Sequence, residues 1–127
     1  GSLISKITYI KKTKNKIFII LDCAMNDFLR PALYGAKHEI LPTVKNSKKI
    51  KKTTEFVGPI CETTDTFLKL SKFQSIKEGD NIAILNTGAY GMSLSSNYNV
   101  RPMPIEILIK NRKSSVILKR QKLNEIT

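Results

Sequence analysis

Cysteine and histidine are scarce in this chain of 127 residues. It has two cysteines, Cys23 and Cys61, and one histidine, His38. The cysteines lie far apart and form no CxxC, so a disulfide framework is not supported and a reducing cytoplasm is the expected location. The same scarcity denies a zinc site its usual ligand spacing, and no metal is expected. Long apolar runs are missing too. None approaches the ~18 residues that would cross a bilayer as a helix, and no secretory leader is recognisable. Acidic residues number 10 against 22 basic ones, a net charge of +12. Such a surplus points toward a polyanionic partner. Arginine, however, is rare: only Arg30, Arg101, Arg112 and Arg120, against 18 lysines. Base readout and bidentate phosphate contacts favour arginine. The lysine clusters at 45–52 and 110–122 also contain no aromatic residue to stack on a base. They read as solvated surface, and a nucleic-acid-binding β-barrel is disfavoured.

What is present fits one domain with a real core. Hydrophobic residues make up 41% of the chain, close to the globular average. A domain of this size removes roughly two thirds of its unfolded surface from water. Gly1-Ser2 reads as an expression-tag remnant, which leaves 3–127 as the domain. Strand-like sequence follows directly, so the chain is expected to start inside a longer protein.

The pattern along the chain is mostly extended. LISKITYI (3–10) and IFIILD (17–22) read as two strands of a hairpin across the polar stretch Lys11–Lys16. The unbroken apolar run of the second suggests a strand buried on both faces or at the centre of the core. Asn26 or Asp27 can cap a short helix ended by Gly35; if Pro31 is its first residue, Arg30 becomes the cap. In either case Arg30 and Tyr34 are four apart and share a side. Lys45–Lys52 is a candidate mobile loop. Thr53–Ile60 reads as a strand, and Thr63 or Asp65 as the start of a second short helix reaching Leu70. Gly79-Asp80 marks a turn. Further strands are expected at 81–86, 105–109 and 114–119, and no internal repeat is present. The fold class expected is mainly all-β, a β-barrel or sandwich with one or two short helices.

Three segments carry a family resemblance: NDFLRPALYGAKH (26–38), VGPICETTDTF (57–67) and GAYGMSLSSNYNVRPMP (88–104). In this order the chain, from about Ile7 to Ile109, resembles the C-terminal domain of the diaminopimelate decarboxylases. These belong to the wider family of alanine racemase and eukaryotic ornithine decarboxylase. The resemblance implies a second domain, an N-terminal (β/α)8 barrel that holds pyridoxal 5'-phosphate (PLP) through a lysine. Such a barrel needs ~250 residues, so this chain lacks it and should be inactive alone. It also implies a head-to-tail homodimer, no membrane, and meso-diaminopimelate as the small-molecule substrate.

The resemblance also implies roles for particular residues. Arg30 is assigned to a substrate carboxylate, which suits a planar guanidinium that can bind two oxygens at once. Tyr34 would add a hydroxyl beside it. Glu62 would take the distal ammonium of the substrate from within a site across the dimer. Cys61, next to it, would return a proton after decarboxylation, as a thiol with a suitable pKa can. Tyr90, between Gly88-Ala89 and Gly91, would touch both cofactor and substrate. Taken without the family, Arg30 and Tyr34 read as a surface arginine and a core tyrosine, and Cys61 as a small buried hydrophobe. Cys23 and His38 keep structural readings, Asp22 and Asp27 are expected to cap or brace the Arg30 turn, and Asn97–Asn99 with Arg101-Pro102 are expected to be architectural. Ala24, Lys37 and Met103 depart from the family pattern without touching the proposed site. An ornithine or arginine decarboxylase-like enzyme is the nearest rival, but such relatives tend to carry aspartate after the cysteine and to lack SSNYN. A purely structural dimerisation module would leave the five site residues unexplained.

Overall fold

The computed structural model describes residues 1–126. Strand β1 (Ser2–Lys12) is long and serves two neighbours. Its first half, Ser2–Lys6, pairs antiparallel with β8 (Asn81–Leu85). Its second half, from Ile7 on, pairs antiparallel with β2 (Lys16–Leu21). A register shift between Ile7 and Tyr9 marks the changeover, and there Thr8 Oγ1 donates to the Ile20 carbonyl at 3.0 Å. An irregularity of this kind bends a strand and increases its twist, so the sheet curls. Gly1 and Ser2 are continuous with this strand: the Gly1 carbonyl accepts from Thr87 N–H at 3.0 Å, and Ser2 pairs with Leu85.

The remaining elements are α1 (Arg30–Tyr34), β3 (Ile40–Pro42), β4 (Lys49–Ile50), β5 (Thr53–Val57), β6 (Thr66–Leu70), β7 (Phe73–Gln74), β9 (Glu106–Lys110) and β10 (Lys113–Leu118), with short 3-10 turns at Met92–Leu94, Tyr98–Val100 and Leu123–Glu125. Six strands form one sheet in the order β3-β8-β1-β2-β5-β6, and β4 with β7 and β9 with β10 form two small ribbons. Within the six-stranded sheet only the β2–β5 pair is parallel. The all-β expectation holds, as a curled, mostly antiparallel sheet.

The core lies against one face of the curl. Ile7, Ile19, Leu21, Phe56, Ile82 and Ile84 are fully buried. Each such side chain contributes roughly 1.5–3 kcal/mol by leaving water. Phe56 meets Phe73 edge-on with ring centroids 5.0 Å apart. In β2 the apolar run is not buried on both faces. Ile17, Ile19 and Leu21 point into the core, while Phe18 and Ile20 stay half-buried. The strand is central in the sheet, but its second face is only partly covered.

Three local expectations are corrected. Residues 63–70 do not form a helix: a turn at 60–64 leads into β6, which pairs antiparallel with β5 through a register shift beside Phe67, leaving Phe67 buried and Lys69 exposed. Lys45–Lys52 is not a free loop, because Lys49 and Ile50 pair with β7 and Gln74 bonds to Asn46 N–H and the Val44 carbonyl. Helix α1 has no side-chain cap; Leu29 holds the cap position, and Gly35 at φ 63° ends the helix with its N–H on Pro31 O. Asp27 cannot cap it, because its carboxylate turns back to accept from Ala24 N–H at 2.8 Å.

Candidate functional site

The exposed edge of α1 carries the first group of residues. Four positions along a helical turn bring Arg30 under Tyr34, and the loop after β8 brings Tyr90 to the same guanidinium. The Arg30 guanidinium carbon lies 5.5 Å from the Tyr34 ring centroid and 5.9 Å from that of Tyr90. Cation–π attraction holds the guanidinium between the two rings without using up its N–H donors. Arg30 forms no ion pair among the described residues. Tyr34 and Tyr90 are 63% and 67% exposed, so neither is a core tyrosine. The cluster therefore presents a planar cation beside two exposed tyrosine rings on an open surface.

A side chain on Gly91 would collide with the Thr87 carbonyl oxygen, so this glycine permits a close approach of backbone to backbone. The left-handed residue in the turn is Tyr90 itself, at φ 62°.

Cys61 and Glu62 sit on a second loop, which Asp65 builds. The Asp65 carboxylate accepts from Ile60 N–H and from Met25 N–H, each at 2.8 Å. Its backbone closes the same loop, with Gly58 N–H on Asp65 O at 2.9 Å and Asp65 N–H on Glu62 O at 3.1 Å. The carboxylate occupies the space a side chain on Gly58 would need, which explains the glycine before Pro59. Burial pushes the Asp65 carboxyl above its ordinary range, partly offset by the two N–H donors. Cys61 and Glu62 are left exposed at the tip, so the buried-hydrophobe reading does not describe Cys61. That reading describes Cys23, whose thiol burial pushes far up. Both cysteines are free. Glu62 accepts a hydrogen bond from the Tyr98 hydroxyl.

The two loops meet at residues 22–29. Asp22 braces β1 rather than the Arg30 turn: its carboxylate takes Ser5 Oγ at 2.6 Å and Lys6 N–H at 2.9 Å. Arg101 ties this stretch from the other side, donating from Nε to Asn26 Oδ1 at 3.0 Å and from its terminal nitrogen to the Asp22 carbonyl. It also lies 3.6 Å from Asp27, whose carboxyl burial holds above its ordinary range against the Ala24 hydrogen bond and the Arg101 charge. Arg101 is thus architectural, as expected. His38 is structural as well, with Nδ1 2.9 Å from the Leu85 carbonyl and its ring edge-on to Phe28. Met25, Asn26, Leu29, Glu62, Ser96 and Tyr98 line one shallow depression, and Leu29 joins it to Arg30 along the chain.

Sequence reasoning had no role for Asp65 and Tyr98 in this arrangement. The spacing of Gly58 and Asp65 hints at a closed loop only once β5 and β6 are known to pair. Among the described residues no helix is long and apolar enough to cross a membrane.

Comparison with known proteins gives a consistent result. Residues 1–88 match the profile described as pyridoxal-dependent decarboxylase, C-terminal sheet domain. Diaminopimelate decarboxylase of Helicobacter pylori is 44% identical over 126 residues, covering 99% of this chain and 31% of the relative. Its counterpart in Zymomonas mobilis is 40% identical with 99% of this chain and 30% of the relative covered. Among solved structures, the Helicobacter pylori enzyme complexed with L-lysine superposes with a TM-score of 0.89 over 98% of this chain and 30% of that one, at 44% identity. A lysine/ornithine decarboxylase from Vibrio vulnificus, 14% identical, shares the fold with a TM-score of 0.66 over 77% of this chain and 27% of that one. The chain thus spans about a third of the length of these curated relatives.

Proposed function

Because the chain belongs to the pyridoxal-dependent decarboxylases, as their C-terminal sheet domain, we propose that it forms one wall of a diaminopimelate decarboxylase. The full-length protein would remove one carboxyl group of meso-diaminopimelate and release L-lysine. The observation that carries this reading is Arg30, a guanidinium without an ion pair among the described residues, held between two exposed tyrosines. An arginine already committed to a carboxylate would have fewer donors, and less net charge, to offer a substrate.

The residues present fit one side of a cofactor site and no more. Tyr90 and Arg30 offer a hydroxyl and a cation at an open surface, but no lysine belongs to the cluster. The covalent lysine and most phosphate contacts would come from the barrel domain. When bound, pyridoxal phosphate supplies the electron sink that takes up the electron pair left by departing carbon dioxide. Arg30 would grip the distal carboxylate through two parallel N–H bonds, and Tyr34 would add a third donor. Glu62 would pair with the distal ammonium. The Cys61 thiol would give its proton to the carbon that lost the carboxyl group, then regain one from solvent. Tyr90 would lie against the cofactor.

The same reading gives the domain two partners. The β9–β10 ribbon bares Ile107, Ile109, Val116 and Leu118, an apolar face suited to the barrel of the same chain. Cys61 and Glu62, exposed on their loop, would reach the site of a second subunit in a homodimer. A free, exposed thiol at Cys61 fits a reducing cytoplasm.

The test follows carbon dioxide release by the full-length protein, loaded with pyridoxal phosphate, from meso-diaminopimelate, lysine, ornithine and arginine. Turnover of diaminopimelate alone is expected, with silence from the 127-residue domain and a Glu62→Gln variant down by about 100-fold in kcat/KM, as for a lost charged contact of ~2.7 kcal/mol. Preference for ornithine or arginine would overturn the substrate. Turnover by the isolated domain would overturn the two-domain reading.

A further inference from the structure

Glu62 is not held by its own loop alone. The Tyr98 hydroxyl, 36 residues away in sequence, donates to Glu62 Oε1. Both side chains are exposed, so this bond shields nothing and does little for stability. The backbone that presents Tyr98 is nevertheless strained and heavily braced. Asn99 and Val100 both lie in the left-handed region, at φ 62° and 55°. A β-branched residue there is a true outlier that persists only when its surroundings over-determine it. Those surroundings are visible. Ser96 N–H donates to the Asn26 carbonyl at 3.0 Å, Arg101 Nε to Asn26 Oδ1 at 3.0 Å, and Asn97 Nδ2 to the Arg101 carbonyl at 2.9 Å.

The loop carrying Tyr98 is therefore anchored on Asn26. The loop carrying Glu62 is anchored on Met25, through Asp65. Two loops fixed to adjacent residues meet at one hydrogen bond, beside the depression that both line. A strained, braced turn that carries a hydroxyl bonded to Glu62 calls for a role there. We infer that Tyr98 is a positioning residue for Glu62: it occupies Oε1, fixes the rotamer, and turns Oε2 toward the ammonium of the amino-acid substrate. This rests on the reading of Glu62 as the ammonium partner. The consequence is selective: Tyr98 governs how tightly the distal amino group is held, and leaves the bond-breaking step alone.

The experiment is a double-mutant cycle in the full-length, cofactor-loaded protein, with Tyr98→Phe, Glu62→Gln and the pair together. Steady-state kinetics use the amino acid the wild type turns over fastest, and calorimetry with L-lysine gives a readout free of turnover. Tyr98→Phe is expected to raise KM and weaken lysine binding by about tenfold, the size of one hydrogen bond to a charged group. Its kcat should stay within about twofold and its Tm within about 2 °C of wild type, because the lost hydroxyl is exposed. In the Glu62→Gln background the same change should have no further effect. Unchanged KM and lysine affinity in Tyr98→Phe would overturn the inference. So would losses that add fully in the pair, or a fall in Tm that accompanies a loss of kcat. A wild type that prefers another amino acid would overturn the substrate reading, while the cycle run on that amino acid still decides the coupling.

Discussion

Asp65 shows how one side chain can place others without touching a substrate. Its carboxylate takes two backbone N–H groups, one inside its own loop and one from Met25. Asp65→Ala would leave the buried Ile60 N–H and the part-buried Met25 N–H without a partner, a cost of about 2–4 kcal/mol, read as a lower denaturation midpoint in urea. The same residue, with Asp27, sets a pH dependence. Burial raises both carboxyls above their ordinary range, so each binds its proton more tightly folded than unfolded. Their contribution is favourable below the unfolded value of ~3.9 and is lost as pH rises through the raised folded value. Over that acidic interval the pair makes the domain less stable as pH climbs. Replacing both with asparagine should flatten this part of a plot of urea midpoint against pH, and an unchanged slope would contradict the assignment. At this scale the sequence was legible where spacing alone creates contact. Arg30 and Tyr34 meet because a helical turn joins positions four apart. Asp65 was opaque because its key partner, Met25, is 40 residues away, and only the paired strands bring them together.

Short segments were the hardest elements to read. Residues 66–70 carry apolar side chains at 67, 68 and 70, a pattern that one helical turn and a five-residue strand satisfy equally. What decides is the free edge of β5, which β6 completes as an outer strand. The long alternating strands were legible because one face must be buried and their register is then fixed. The turn at 97–101 was not, since nothing local asks Val100 to adopt φ 55°; its bonds to Asn26 and the Arg101 clamp impose it. Val100→Gly should remove that strain and raise stability by about 1 kcal/mol, net of the extra freedom glycine has when unfolded. Thermal unfolding of the domain checks this, and a lower Tm would show that the turn is relaxed as it stands.

Across the whole molecule, apolar surface is unevenly covered. The core side chains are buried, yet every residue of β10 and four of the five in β9 are exposed. A ribbon that bares Ile109 at 75% and Ile117 at 59% exceeds scattered surface hydrophobes. The isolated domain should therefore enhance the fluorescence of an anilinonaphthalene dye, and Ile107→Ser with Ile109→Ser should abolish most of that signal without lowering Tm. Equal dye binding by the variant would place the apolar surface elsewhere. Two lysines make local contacts: Lys52 reaches the Thr13 carbonyl at 3.5 Å, and Lys16 pairs with Glu55.

The two-sided pairing of β1 has a consequence in time. Its second half finds β2 across a three-residue turn, a local closure of the kind that takes microseconds. Its first half must wait for β8, with Ser2 opposite Leu85. The loop between them is most of the domain, and its closure entropy precedes any reward from the contacts it allows. During synthesis the leading half of β1 therefore stays an unpaired edge until the chain has been made through Leu85. The hairpin at the start of the domain can close locally, but the other half of β1 gains a partner only through a long-range encounter.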